Sequence, residues 1–204
     1  MKEPTRIHLV RHGQVAGYEN PRYNGQSDVP LTESGLRQYH ELKERLAGFE
    51  ISACYTSDLS RCAAGAEIIS GQFGIEPVRV SALREINIGL WEGLSWSEIS
   101  GRWPDEWNAR LADIVNYRPP GGENLMDVRE RVIPVISDIL QRHNGESVLV
   151  VGHGGVNRII LLTAIGAPME KMFNIEQSYG CHNIIDYHDD GRATVKLMNS
   201  AGNF

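Results

Sequence analysis

The chain has 204 residues, 41% hydrophobic and 23% charged, ordinary proportions for a globular protein with a full core. A formal charge of −6 and a pI near 5.6 argue against nucleic acid or an anionic membrane as partner, so local cations must attract any anionic ligand. No apolar signal segment precedes the first strand and no run of about 18 apolar residues occurs, so the expected location is cytoplasmic.

Residues 6–10 read as a short buried strand, with Ile7, Leu9 and Val10 apolar and β-prone. The strand delivers Arg11-His12-Gly13 to its carboxyl end, where open α/β sheets bind ligands. A permanently charged guanidinium beside an imidazole, then a glycine that allows close backbone approach, suits capture of a phosphoryl group. On its own the triplet is equally compatible with a surface Arg and an incidental His. Residues 14–31 form a long polar loop, of the kind that is often functional in compact domains. Thr32 then caps a helix to about residue 47, with Leu36, Tyr39, Leu42 and Leu46 on an apolar stripe.

A second strand at 51–55 is followed by a helix capped by Ser57 or Asp58 and running to about residue 73. Arg61 falls in its first turn, where a cation opposes the helix dipole. A residue that breaks a local rule points to a site, with a surface salt bridge as the plain alternative. Residues 77–80 read as a third strand. Trp91, Trp96, Trp103 and Trp107 cluster beyond it, and Pro104 divides that segment into two short helices. The cluster reads either as the mini-core of a small cap or as an apolar lid over a substrate, and the first reading is the simpler. Arg84 and Arg102 are the nearby cations that could meet a substrate carboxylate.

Pro119-Pro120-Gly121-Gly122 closes the insertion, and a long helix over 123–142 follows, with Pro134 expected to kink it. Residues 147–152 are the clearest buried strand, and His153-Gly154-Gly155 leads straight into a helix over 156–165. Strand, glycine turn and helix N-terminus together form an anion site. A dinucleotide fold is disfavoured, because the six-residue glycine fingerprint is missing. Segments 181–187 and 193–198, joined by Asp189-Asp190-Gly191, predict a hairpin that adds an antiparallel strand. Cys54, Cys62 and Cys181, odd in number and widely spaced, suit a reducing compartment and form no obvious zinc site.

Arg11, His12, Arg61 and His153 all fall at strand carboxyl ends, so a parallel sheet gathers two guanidiniums and two imidazoles around one point, and Glu85 adds a carboxyl group. The carrying motifs are Leu9 to Gly13 (LVRHG), Gly25 to Gly35 (GQSDVPLTESG), Ser57 to Arg61 (SDLSR), Leu83 to Gly89 (LREINIG) with Trp91-Glu92-Gly93, and Val151 to Gly154 (VGHG). In these the chain resembles the histidine phosphatase superfamily, the phosphoglycerate mutase-like proteins. The resemblance implies an α/β fold: one domain over 1–204, a three-layer mixed, mostly parallel sheet flanked by helices, with a small helical cap at about 94–120 over the site. It implies His12 as the nucleophile that is phosphorylated, Arg11, Arg61 and His153 on the phosphoryl oxygens, and Glu85 as proton donor and then base. It also places Gly13, Tyr18, Asn24, Gly25 and Gly154 around the substrate, and calls for no metal and no cofactor.

A nucleophilic His12 must be neutral, which calls for a carbonyl from the 13–16 loop on its other ring nitrogen. Glu85 can hold a proton near neutrality only if burial or a bound anion raises its pKa. Many relatives carry Asn six residues after the nucleophile; here that residue is Tyr18, with Asn20 and Asn24 as replacements, and Gly65 stands where threonine is common. The Ile86-Asn87-Ile88-Gly89 run after the acid is phosphatase-like, so hydrolysis of a small-molecule phosphate ester is expected. Within the superfamily the chain is most similar to the α-ribazole phosphatases of cobalamin assembly, in Gly25 to Thr32 (GQSDVPLT), Gly180-Cys181 and Leu197 to Ser200 (LMNS). A broad phosphatase, a mutase and a non-catalytic phosphate-binding module are the alternatives. A homodimer is compatible with the sequence.

Overall fold

The computed structural model describes residues 3–202. The strands are β1 (Thr5–Arg11), β2 (Ala53–Thr56), β3 (Val78–Arg79), β4 (Ser147–Gly152), β5 (His182–Tyr187) and β6 (Ala193–Ser200). They form one sheet in the order β3-β2-β4-β1-β5-β6. The first four run parallel, while β5 is antiparallel to both β1 and β6. The helices are α1 (Glu33–Leu46), α2 (Ser60–Ser70), α3 (Trp96–Arg102), α4 (Pro104–Ala112), α5 (Leu125–Arg142) and α6 (Gly154–Ala164). The result is the mixed α/β sheet that the motifs implied. No helix among the described residues is long and apolar enough to cross a membrane.

The central strands are apolar at nearly every position because both faces are covered. Ile7, Leu9, Val148 and Val150 pack with Val128, Val132, Ile136, Ile159 and Ile160 of α5 and α6. The alternate residues Val10, Leu149 and Val151 pack with Tyr39, Leu42, Leu46, Cys62 and Ala66 of α1 and α2. The register places Arg11 beside Gly152 and Thr56 beside Val151. The three central strands therefore end level, and His12, Ser57 and His153 emerge side by side.

Three local expectations are corrected. The N-cap of α2 is Leu59, whose side chain cannot cap; Asp28, from the 14–31 loop, supplies the missing carboxylate to Ser60 N at 2.9 Å and to its hydroxyl at 2.7 Å. The third strand shrinks to Val78 and Arg79, both exposed at the sheet edge. Helix α6 begins at Gly154, with His153 as its N-cap, two residues earlier than expected. Asn124 and Asp127 form a reciprocal capping box at the start of α5.

The 14–31 loop is closed at its base. Ala16 N donates to Pro30 O and Thr32 N to Gln14 O, each at 2.9 Å, and Val15 bridges to Leu31. Below that, the backbone at Gly13 crosses that at Gly35: a Cβ on Gly13 would lie 2.4 Å from Gly35 O, and one on Gly35 would lie 2.2 Å from Gln14 O. Only glycine permits so close an approach.

The tryptophans do not form a separate mini-core for the cap: Trp91 belongs to the main core. Trp91 is fully buried, stacks on Tyr117 at 5.7 Å and lies 6.2 Å from Trp107. Trp103 and Trp107 pack against the main core, while Trp96 faces outward.

Candidate active site

The level carboxyl ends of β1, β2 and β4 floor a cavity of about 180 Å³ lined by His12, Glu85, Arg11, Arg61, Asn24, Gly25 and Gly155. Its outer wall consists of Arg22, Tyr23, Ile86, Ile88, Arg110, Arg158, Met172, Phe173 and Tyr179. No tryptophan lies on it, so the lid reading of the cluster is overturned. The expected carboxylate partners also fail: Arg84 is bound to both oxygens of Asp58, and Arg102 is exposed and off the wall.

His12 Nδ1 lies 2.8 Å from Gly13 O. A carbonyl only accepts, so Nδ1 carries the hydrogen and Nε2 keeps its lone pair, with no hydrogen-bond partner among the described residues. Burial pushes the His12 pKa well below the ordinary value, and Arg11 and Arg61 push it the same way. Both effects favour the neutral ring. His153 lies with its ring 5.2 Å from that of His12, edge to face, and its Nε2 is 2.9 Å from Ser57 Oγ. It is fully buried and off the cavity wall, and burial, followed by His12 and Arg61, pushes its pKa well below the ordinary value.

Arg61 Nη1 donates to Ser27 O at 2.7 Å and Nη2 to Gly25 O at 2.8 Å, so this cation also fastens the 14–31 loop against the site. Tyr39 crosses α2 at Gly65, where a Cβ would lie 1.8 Å from its ring, and its hydroxyl donates to Arg61 O at 2.7 Å. The glycine at position 65 is a packing requirement. Arg11 donates to Gln177 O and lies 4.1 Å from the centre of the Tyr179 ring, while its buried Nε has no partner.

Glu85 Oε2 accepts from Gly155 N and Oε1 from Ile86 N, each at 3.0 Å. Arg131, on α5, holds the loop that carries it: Nη1 donates to Ala82 O and Arg84 O, Nη2 to Glu85 O, and Glu123 pairs with the same guanidinium. Asn24 and Gly25 lie on the wall as expected. Gly13 and Gly154 lie behind it, Gly154 against Arg11 and Arg158. Tyr18 is exposed and away from the cavity.

Arg22, Arg110, Arg131, Arg158 and Tyr179 were not foreseen. Arg158 stands four residues after Gly154, hence on the same helical face, which is a signal the sequence does carry. Among the described residues, no cluster of three or more His, Cys, Asp or Glu is placed to hold a metal ion.

The profile of the histidine phosphatase superfamily (branch 1) matches residues 7–200. The chain belongs to that superfamily. As a histidine phosphatase relative it is 36% identical over 163 residues to the metal-independent phosphoserine phosphatase of Arabidopsis thaliana, covering 78% of this chain and 68% of that one. It is 32% identical over 200 residues, 98% of its length, to the bifunctional protein Rv2228c of Mycobacterium tuberculosis, and spans only 55% of that protein. The crystal structure of a putative α-ribazole-5′-P phosphatase from Escherichia coli superposes with a TM-score of 0.90 at 25% identity, covering 99% of this chain and 100% of that one.

Proposed function

We propose that the protein is a phosphomonoesterase that works through phosphohistidine at His12, without a metal. One observation carries this reading: a neutral imidazole, its Nδ1 hydrogen tied to Gly13 O, turns a free Nε2 to a cavity shared with Arg11, Arg61 and Glu85. Nε2 bonds to phosphorus as the ester P–O bond breaks, and Glu85 gives its proton to the leaving oxygen. Water then attacks the phosphohistidine, Glu85 takes the water's proton, and inorganic phosphate leaves. Phosphoryl transfer needs positioning and charge stabilisation above all, and two fixed guanidiniums provide both. Ser57 orients His153, whose role is to pack edge to face on His12 and hold that ring in place.

For the leaving group, α-ribazole 5′-phosphate keeps the support of the sequence resemblance and of the Escherichia coli neighbour's name, but not that of a tryptophan roof. His12→Ala is expected to abolish turnover of p-nitrophenyl phosphate and every alkyl ester, and rapid-quench mass spectrometry should find a phosphoryl group on wild-type His12. Chelator should leave the wild-type rate unchanged. A fully active His12→Ala variant, or activity lost to chelator and restored by Mg²⁺, refutes the reading.

A further inference from the structure

Arg11 is aimed by neutral groups alone. Arg84 and Arg131 each pair with a carboxylate, Asp58 and Glu123, whereas Arg11 forms no ion pair among the described residues. Its Nη1 donates to Gln177 O, and its guanidinium lies 4.1 Å from the centre of the Tyr179 ring. Both partners sit on the segment that leads into β5. A carbonyl dipole and a ring face fix the direction of a cation without cancelling its charge, which stays available to a phosphoryl group. The aim then depends on how firmly that segment is seated.

The seat is a pair of buried amides. Gln177 and Asn183 are 2% and 0% exposed. Gln177 Nε2 donates to Asn183 Oδ1 at 2.8 Å, and Asn183 Nδ2 donates back to Gln177 Oε1 at 3.0 Å. Gln177 Nε2 also donates to Glu176 O at 2.9 Å. Asn183 Nδ2 also donates to Leu9 O at 3.0 Å, and its Oδ1 accepts from Asn199 N at 2.8 Å. An amide has two donors and two acceptor sites, and Asn183 uses all four. Leu9 lies opposite Asn183 in the sheet and two residues before Arg11, so the pair ties the segment to the strand that carries the guanidinium.

Strand β6 braces the pair from the far side. Between the His182–Ser200 and Ile184–Leu197 partners, it sets Met198 and Asn199 against Asn183 alone. Asn199 takes a φ of 51°, a left-handed backbone that asparagine bears better than most residues. Its Oδ1 accepts from Ser178 N at 2.6 Å, next to Gln177 and Tyr179. Bulges with such an extra residue recur beside active sites, where they re-aim side chains.

We infer that the Gln177–Asn183 amide pair, braced by Asn199, is the positioning device for Arg11: it holds Gln177 O and the Tyr179 ring where they turn the guanidinium to the phosphoryl group. The inference rests on the phosphatase reading above. It assigns a role to three residues that do not line the cavity.

The test is a double-mutant cycle, which separates action through Arg11 from a general structural effect. Gln177→Met keeps the side-chain length and the main-chain carbonyl that Arg11 uses, and removes the amide. It should lower kcat/KM for p-nitrophenyl phosphate about ten- to hundredfold, the scale of a misplaced contact to a charged group. Calorimetry should show inorganic phosphate binding about tenfold more weakly. In an Arg11→Ala background, the same substitution should change either quantity by less than about twofold. Asn199→Gly keeps the left-handed backbone and its N–H to Asn183, and loses only the acceptor for Ser178 N. It should move both readouts the same way, by about threefold or more, with the same dependence on Arg11. All rates are compared well below the melting temperatures, and Asn199→Gly carries the cycle if Gln177→Met does not fold.

Equal losses with and without the Arg11 side chain would make the amide pair a purely structural element and overturn the inference. So would unchanged phosphate affinity in both variants, or phosphate affinity that Arg11→Ala leaves intact. If wild type hydrolyses no ester and His12 is never phosphorylated, the phosphatase reading fails by itself, and the phosphate affinities still decide whether the pair positions Arg11.

Discussion

A methyl group added at Gly155 would stand 2.5 Å from Glu85 Oε1 and 2.8 Å from Ile86 Cδ1. Ordinary contact begins near 3.4 Å, so in Gly155→Ala the carboxylate must retreat by about 0.9 Å or turn away, weakening the 3.0 Å bond from Gly155 N. A displacement of about 1 Å in a reacting group costs on the order of a hundredfold in rate. The cost should fall on esters whose leaving oxygen needs a proton. Single-turnover phosphorylation by an alkyl phosphate should therefore slow by about that factor, and phosphorylation by p-nitrophenyl phosphate by several-fold less. Alanine is the better helix former by about 1 kcal/mol, which offsets the shift at Ile86, so thermal unfolding should move by no more than a few degrees. Alkyl-ester rates within about threefold of wild type, or equal losses on the two esters, would refute Glu85 as the acid.

Arg131→Met removes the donors to three loop carbonyls and leaves Glu123 unpaired in a half-buried site; calorimetry should show a loss of about 2–3 kcal/mol, and alkyl-ester turnover should fall more than nitrophenyl-ester turnover. The buried His8–His182 pair, 3.0 Å apart, sets an acid limit. Burial, then Arg6, holds His8 down to about 4, and burial, then His8, holds His182 to about 3. Both lie below the unfolded value near 6.5, so the unfolded chain binds more protons in between. The pair's contribution is complete above about pH 6.5 and is lost as the pH falls towards 4, on the order of 3 kcal/mol from His8 alone. Denaturant midpoints from pH 7 to 4 should fall accordingly, and more gently in His8→Gln.

The sequence showed the strands that floor the site because each is a short run ended by Arg-His-Gly, Ser-Asp or His-Gly-Gly, the first and last of them rich in Val, Ile and Leu, signals that need no knowledge of neighbours. It also showed that His12, Arg61 and His153 would meet, because parallel strands bring their carboxyl ends to one edge. It did not show that Asp28 caps α2, since that contact spans 32 residues and closes only when the loop folds back. Nor did it show that Arg110 points inward while Trp96 points out. Helical spacing names the faces of a short helix, but packing decides which face is buried, and here α4 turns its arginine to the cavity. Tyr18 failed as a site residue for a related reason: equal spacing from His12 does not fix a path through an irregular loop.

The crossed backbones at Gly13 and Gly35 have a consequence for how this protein can be re-engineered. They pin both ends of the 14–31 segment by main-chain contact, so the anchorage does not depend on the side chains between them. The span from residue 17 to 29 then behaves as an exchangeable insert, provided a replacement keeps an acid where Asp28 meets Ser60 and offers carbonyls where Arg61 docks. Grafts from relatives with other substrates could alter the cavity's rim while His12 stays in register with β4. The same two positions should be among the least forgiving in any saturation library, because an added Cβ meets backbone at both and no neighbouring side chain can move to make room.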